Sequence, residues 1–200
     1  MLEKLGVFYD EEVERYIESF VACFHVRFVI LSLEFEDLIT GSPHVVSSYC
    51  HLMRFKLHKL ATCLHQNRQG CQRCKNGSTP FVYRCYAGLN EAVMPIIVNG
   101  QHIGYAMIGQ FRTYNDDGGM PKIPQELIDI CGKIGLDGAL RETWEELPLY
   151  DRKMTENMVN LFYVLINFIV MREYLNVHQP GLTEKILRWL DNHITDTIEL

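Results

Sequence analysis

Asn99-Gly100 stands between two apolar runs, residues 91–98 and 102–111, and this pair constrains the fold more than any other feature of the chain. A type I′ turn needs positive φ at both central residues, which Asn and Gly tolerate, so the two runs are expected to form an antiparallel hairpin. Side chains alternate along a strand, which puts Ile103, Tyr105, Met107, Gly109 and Phe111 on one face and His102, Gly104, Ala106, Ile108 and Gln110 on the other. Gly104 and Ala106 leave space on the second face, either for a closely packed helix or for a small ligand within reach of Gln110.

Five of the seven cysteines, Cys50, Cys63, Cys71, Cys74 and Cys85, lie in or just before this region. The spacing of Cys71 and Cys74 lets both sulfurs reach one zinc or one iron of an iron–sulfur cluster, and Cys50, Cys63, Cys85, His51 and His65 are the remaining candidate ligands. No second pair of comparable spacing accompanies them. Metal ligation, thiol redox sensing and thiols that pack or line an organic pocket therefore stay open. No GxSxG, HExxH, Walker A or GxGxxG stretch places a nucleophile, metal or phosphate, so an enzyme is not expected.

Two hundred residues, 48% of them hydrophobic, suffice for one domain with a real core. A net charge of −6 argues against the domain itself binding nucleic acid or anionic membranes, which takes clustered Lys and Arg. The N-terminus lacks the basic start and apolar core of a signal peptide, and the most apolar stretch, residues 158–171, reads as too short to span a bilayer. The expectation is a cytoplasmic protein with free thiols rather than a disulfide framework.

Asp10 is a plausible N-cap for an amphipathic helix through Phe24, with Cys23 packed as a small apolar residue. Residues 28–33 form a β-rich run, and residues 35–39 a second strand that ends at Gly41-Ser42-Pro43. Residues 46–74 return to helical spacing, with Cys50, Met53, Leu57, Leu60 and Leu64 on one face and Gly70 as a break. A strand over 81–85 precedes the hairpin. After a polar loop over 113–124, Pro124 opens a helix to Lys133 closed by Gly135, and a shorter helix covers 139–146. Residues 151–177 read as one long helix, apolar on more of its circumference than one sheet face requires, and a like helix from a second subunit is the economical partner. Residues 178–181 break it. Residues 182–200 then begin a new helix.

Tyr49-Cys50, Cys63, Val82-Tyr83-Arg84-Cys85-Tyr86-Ala87-Gly88-Leu89, Met94-Pro95-Ile96, Gly104 and Gly109-Gln110, taken together, resemble the PocR sensory domain over about residues 8–177. Residues 182–200 look like the opening helix of an AraC-type DNA-binding domain. The resemblance implies an α+β fold, a PAS-like central antiparallel sheet flanked by helices with a long C-terminal dimerisation helix. It also implies three parts: a sensory domain over 1–177, a hinge over 178–181 and a truncated DNA-binding domain over 182–200. The family is associated with sensing simple hydrocarbon derivatives such as propanediol or glycerol, and DNA would be reached only through the C-terminal domain. A diol carries no charge, so hydroxyl, amide or carboxylate partners are expected rather than arginines. Tyr83, Glu91, Tyr105 and Gln110 are candidates by residue type, Cys50 and Cys85 by motif. No cofactor is expected on this reading; the alternative is a metal- or redox-responsive sensor holding zinc or an iron–sulfur cluster at the five cysteines. Tyr86 stands where the family usually has His, Asn67 where Asp is common, and Cys71 and Cys74 are additional to its usual set.

Overall fold

A computed structural model describes residues 7–9, 11–40, 46–172 and 175–177. Five strands build the central antiparallel sheet: β2 (Arg27–Leu31), β3 (Asp37–Thr40), β4 (Phe81–Arg84), β5 (Asn90–Val98) and β6 (Gln101–Thr113). Their spatial order is β3-β2-β6-β5-β4, and the two-residue β7 (Leu149–Tyr150) joins β6 in parallel. β1 (Val7–Tyr9) pairs separately with β8 (Leu175–Val177). The hairpin forms as its turn chemistry dictates, with φ of 51° at Asn99 and 76° at Gly100. The architecture is α+β and PAS-like.

Helices α1 (Glu11–Phe24) and α6 (Arg152–Met171) cover one face of the sheet. Val13, Ile17, Phe20 and Val21 recur at helical spacing on α1, and Met158, Phe162, Ile166 and Ile169 on α6, so each helix brings one apolar stripe to the sheet residues Phe28, Ile30, Ala92, Met94, Ala106 and Ile108. The opposite face lies under α2 (Ser48–His51), a π-helical turn (Leu52–Lys56) and α3 (Leu60–Cys74), where Cys71 and Cys74 pack with Val29, Val93, Tyr105 and Met107. A third core joins α2 to α4 (Gln125–Lys133) and α5 (Asp137–Glu145) through Tyr49, Leu127, Leu140 and Trp144.

Several expectations change. Residues 46–74 are not one helix: the π-helical turn and His58, at φ 53°, rotate α3 relative to α2. Leu60 and Leu64 are consequently exposed, and Gly70, Cys71 and Cys74 form the buried side of α3. Gly70 does not break the helix. It sits where a Cβ would come within 2.5 Å of the Tyr83 ring, so glycine is what lets that ring pack. The long helix ends at Met171, and Leu175–Val177 is a strand. It starts at Arg152, capped by the Asp151 carboxylate accepting from Met154 N–H at 2.7 Å, and by length and composition it is long and apolar enough to cross a membrane, unlike the shorter stretch read from the sequence. Cys23 is exposed rather than packed. Asp10, residues 41–43 and residues 178–200, on which the expected hinge and the expected opening helix of a DNA-binding domain fall, lie outside the described residues.

The two faces of β6 also depart from simple alternation. The β5–β6 register shifts at Ile96/Ile97 and at Asn90/Glu91, and each shift turns the following side chains over. Phe111 therefore joins Ala106 and Ile108 in the α1–α6 core, while Gln110 turns toward α2. The space at Gly104 is filled by backbone, since a Cβ there would collide with the Leu31 carbonyl oxygen of β2, and Ala106 packs under the helices. Of the two readings of that face, close packing is the one realised.

Candidate functional site

Strand register assembles a row of side chains beneath the α2–α3 cap. Tyr83 lies opposite Glu91, Glu91 opposite Gly109 and Gly109 opposite Arg27, so the row Tyr83–Glu91–Gly109–Arg27 crosses four adjacent strands. Glycine at the third position is a steric requirement, because a Cβ there would lie 2.8 Å from Glu91 Cγ and the backbone φ of 158° is one that L side chains rarely adopt. From above, the π-helical turn brings Arg54 close enough to Glu91 to influence its ionisation. Tyr83 donates to Asn67 Oδ1 on α3 at 3.4 Å.

Glu91 is 7% exposed, between Asn90 and the apolar residues 92–98 of β5. Burial is the largest influence on its carboxyl and raises the pKa, opposed by hydrogen bonding from Tyr83 and by the charges of Arg54 and Arg27. The Arg27 guanidinium, 2.6 Å from Asp37 Oδ2, is held below its usual value, again chiefly by burial. Glu91 Oε2, Arg27 Nε and Arg54 Nε are buried without a hydrogen-bond partner among the described residues. Such atoms each cost free energy in the folded state unless a group from outside the chain, a water included, meets them.

Arg27, Val29, Glu91, Met107, Gly109 and Gln110 line a small cavity at this row. A larger cleft of about 550 Å³ adjoins it, with Val21, Val26, Val46 and Leu147 as apolar wall and with Arg27 and Gln110 in common. Gln110 Oε1 accepts from Ser47 N at 3.1 Å and Ser47 Oγ at 2.6 Å, which fixes the amide between the two spaces. Ser47 also caps α2, accepting from Cys50 N–H at 3.2 Å. One residue thus ties the start of the cap to the end of the row.

The candidate residues divide into those brought together and those held apart. Tyr83 and Glu91 are neighbours in the row, Gln110 borders it, and Cys50 and Cys85 lie near enough for the Glu91 charge to raise both thiols. Burial is the main cause, pushing each thiol up to about 12, which favours the neutral thiol over the thiolate. Tyr105 is elsewhere: it stacks on Phe35 at 5.7 Å, four residues along β6 from Gly109, about 13 Å at the usual rise of a strand. The proposed metal set is not assembled. Cys71 and Cys74 point into the α3 core, Cys63 meets the Tyr86 hydroxyl at 3.4 Å, and among the described residues no three His, Cys, Asp or Glu side chains converge to hold an ion. The reason is the turn at residues 57–59, which puts Cys71 and Cys74 on a different helix, packed in a different core, from Cys50.

Arg27 and Arg54 were not singled out in the sequence, and the structure places both near Glu91. A signal for them existed. Between Asp37 and Glu91 the chain has no acidic residue, so Glu91, set in an apolar strand, needs basic company from a distance.

The raised pKa of Glu91 makes a prediction about stability. A carboxyl whose folded pKa lies above its unfolded value contributes stability that is fully present below the unfolded pKa and is lost as pH rises through the folded one. Between about pH 5 and about pH 8, urea midpoints of the wild type are expected to fall relative to those of Glu91→Gln, which cannot ionise. Parallel pH profiles for the two proteins would show that Glu91 ionises as freely in the folded chain as in the unfolded one.

The family model described as a sensory domain found in PocR matches residues 7–174. The chain is also similar to the "Regulatory protein PocR" of Salmonella typhimurium (strain LT2), 22% identical over 216 residues that cover 96% of this chain and 67% of that protein. No solved structure matches it. The buried row under the α2–α3 cap is therefore the interior of a sensory module, and the chain belongs to the family of PocR sensory domains.

Proposed function

We propose that this domain senses a small uncharged hydrocarbon derivative, a diol or glycerol-like molecule, and passes its occupancy to a DNA-binding domain as part of a cytoplasmic transcriptional regulator that performs no catalysis. The observation that carries this reading is the buried row at Glu91. A hydroxyl group donates and accepts at once, which suits a site presenting an unpartnered carboxylate oxygen beside unpartnered guanidinium N–H groups. Tyr83, Glu91 and Gln110 would make polar contacts, and Cys50 and Cys85 would line the wall as neutral thiols. The regulatory role named for the Salmonella relative supports the same direction. On this reading residues 1–177 sense, 178–181 act as a hinge and 182–200 begin an AraC-type domain.

The decisive measurement is a thermal shift on the purified chain with a panel of small alcohols, alongside elemental analysis of the same sample. Linkage requires a bound diol or triol to raise the melting temperature with dose. One zinc or iron per chain together with no response to any alcohol would replace this reading by a metal-centred one.

Coupling to a second domain is proposed to run through a homodimer of α6. Leu161 is 52% exposed, Val164 57% and Met171 81%, a stripe on the side away from the sheet that a second α6 would bury. Val164→Lys is expected to convert the dimer to monomer in sedimentation velocity while leaving the far-UV circular dichroism spectrum unchanged, and a wild type that sediments as a monomer at all concentrations would remove the dimer from the scheme.

A further inference from the structure

We infer that the cleft between the ends of α1 and α5 is a separate binding site for a small aliphatic carboxylate, whose head is held by Arg27 and Gln110 and whose chain lies along Val21, Val26, Val46 and Leu147. The inference does not rest on the diol reading above, and the ligand is of another kind, an anion with an apolar tail.

The cleft, of about 550 Å³, opens where two cores meet. Val21 and Val26 belong to the core under α1 and α6, and Leu147 to the core that joins α2, α4 and α5. That volume suits a small organic molecule, and sites of this size pair an apolar wall with a few polar groups that fix orientation.

Here those groups are donors. A backbone N–H can only donate, so Ser47 N–H, at 3.1 Å, fixes the Gln110 amide with its oxygen toward α2 and its Nε2–H groups turned the other way. Gln110 is 5% exposed, and its Nε2 has no acceptor among the described residues, yet it is not one of the enclosed atoms. On Arg27, Nη2 is committed to Asp37 at 2.6 Å and Nε is enclosed, whereas Nη1 is neither enclosed nor provided with an acceptor among the described residues. Arg27 pairs across the strands with Gly109, the residue before Gln110, so the two donors are neighbours on the sheet wall of the cleft. A carboxylate offers two acceptor oxygens in one plane and meets both donors in charge-assisted hydrogen bonds, which a neutral alcohol cannot match.

The charges favour the same ligand. Burial favours the neutral form of the Glu91 carboxyl, and Asp37 is 52% exposed, so part of its charge is spent on water. A largely buried guanidinium with so screened a partner gains from a second anion. Glu146, on the α5 side of the cleft, is exposed, and solvent screens it from the sheet wall. Because the Gln110 amide also holds Ser47, which caps α2, a carboxylate at Nε2 is linked through one amide to the first turn of the cap.

The test is calorimetric titration of the whole chain with hexanoate, hexan-1-ol and acetate, repeated on Ala22→Phe, Gln110→Glu and the control Ala61→Phe. Ala22 is exposed on α1 and lines the cleft, so a phenyl ring there fills the space from a helix surface; Ala61 is exposed on α3 and does not line it. Gln110→Glu keeps an oxygen for Ser47 and replaces the free Nε2–H groups by an acceptor, and each variant's melting temperature without ligand reports folding separately. Expected are binding of hexanoate by the wild type and by Ala61→Phe, a loss of about tenfold or more in Ala22→Phe and in Gln110→Glu, and binding of hexan-1-ol and of acetate that is weaker by a similar factor. Equal hexanoate binding by wild type and Ala22→Phe would overturn the cleft as the site, and equal binding by wild type and Gln110→Glu would overturn the anchor. Hexan-1-ol binding as tightly as hexanoate would overturn the carboxylate assignment, and no binding of hexanoate by folded wild type would overturn the whole inference while leaving the diol reading to its own thermal-shift test.

Discussion

Phe162→Ala is expected to cost about 3–5 kcal/mol of unfolding free energy. Phe162 is fully buried on α6, and its ring meets Phe28 of β2 edge-on at 5.5 Å and Phe20 of α1 at 6.5 Å, so one side chain joins both helices to the sheet. Truncation removes the transfer free energy of an aromatic ring and leaves a cavity that α1 and α6 cannot close without breaking their other contacts. Domains of this size hold only about 5–15 kcal/mol in all, so the variant should sit close to its unfolding threshold. Urea melts of the two proteins measure the difference; a loss under about 1 kcal/mol would mean that the cluster relaxes around the missing ring.

Arg112→Ala is expected to cost a comparable amount, about 3–5 kcal/mol, for a different reason. The guanidinium is 3% exposed and donates to the Leu147 carbonyl at 2.9 Å and 3.3 Å, to the Glu145 carbonyl at 3.3 Å and to Glu145 Oε2 at 3.2 Å, with its carbon 5.4 Å from the centre of the Trp144 ring. Removal takes away the side-chain donors of the Leu147 and Glu145 carbonyls. Arg112→Lys should recover little, because one ammonium cannot reproduce the planar fork that spans two carbonyls. Glu145→Gln is the informative control. That carboxylate is 67% exposed, so losing its charge should cost under about 1 kcal/mol, and an equal loss in both variants would place the stabilisation in the ion pair instead of the carbonyl clamp. The clamp matters to the site because Trp144, held beneath Arg112, packs edge-on against Tyr49 of α2 at 5.3 Å. Loosening it should weaken ligand response as well as stability.

Both predictions concern residues whose burial follows from pattern but whose partners do not. The apolar stripe of α6 was legible as periodicity, and so was its excess of apolar surface; that Phe162 would meet Phe28 and Phe20 required the order of the strands. Nothing in the local sequence marks Arg112, and only the path of α5 beneath it makes it a clamp.

The site repeats the contrast. Tyr83, Glu91 and Gln110 stood out by residue type, as phenol, carboxylate and amide groups in apolar strands, and strand register makes them neighbours. Tyr105 fitted the same description and lies at the other end of the sheet face, since alternation gives the face of a side chain but not its distance from a site. Arg27 and Arg54 went unnoticed because each is unremarkable in its own segment, and the five cysteines suggested a cluster because spacing along the chain was taken as spacing in the fold.

What the sequence determined by itself was local: the Asn99-Gly100 turn, whose positive φ values no distant contact can supply, the start of α6 near residue 151 and the amphipathic stripes of α1 and α6. These depend on forces acting within a few residues. The tertiary structure decided where the register slips, at Gln110 and again near Ile103, and therefore which face of β6 each later side chain meets. It also decided that a glycine, a glutamate and two arginines separated by up to 82 positions in the chain share one row and its cap. Such neighbours arise from strand pairing across the sheet and from a π-helical turn that reorients the cap, and no local preference along the chain encodes either distance.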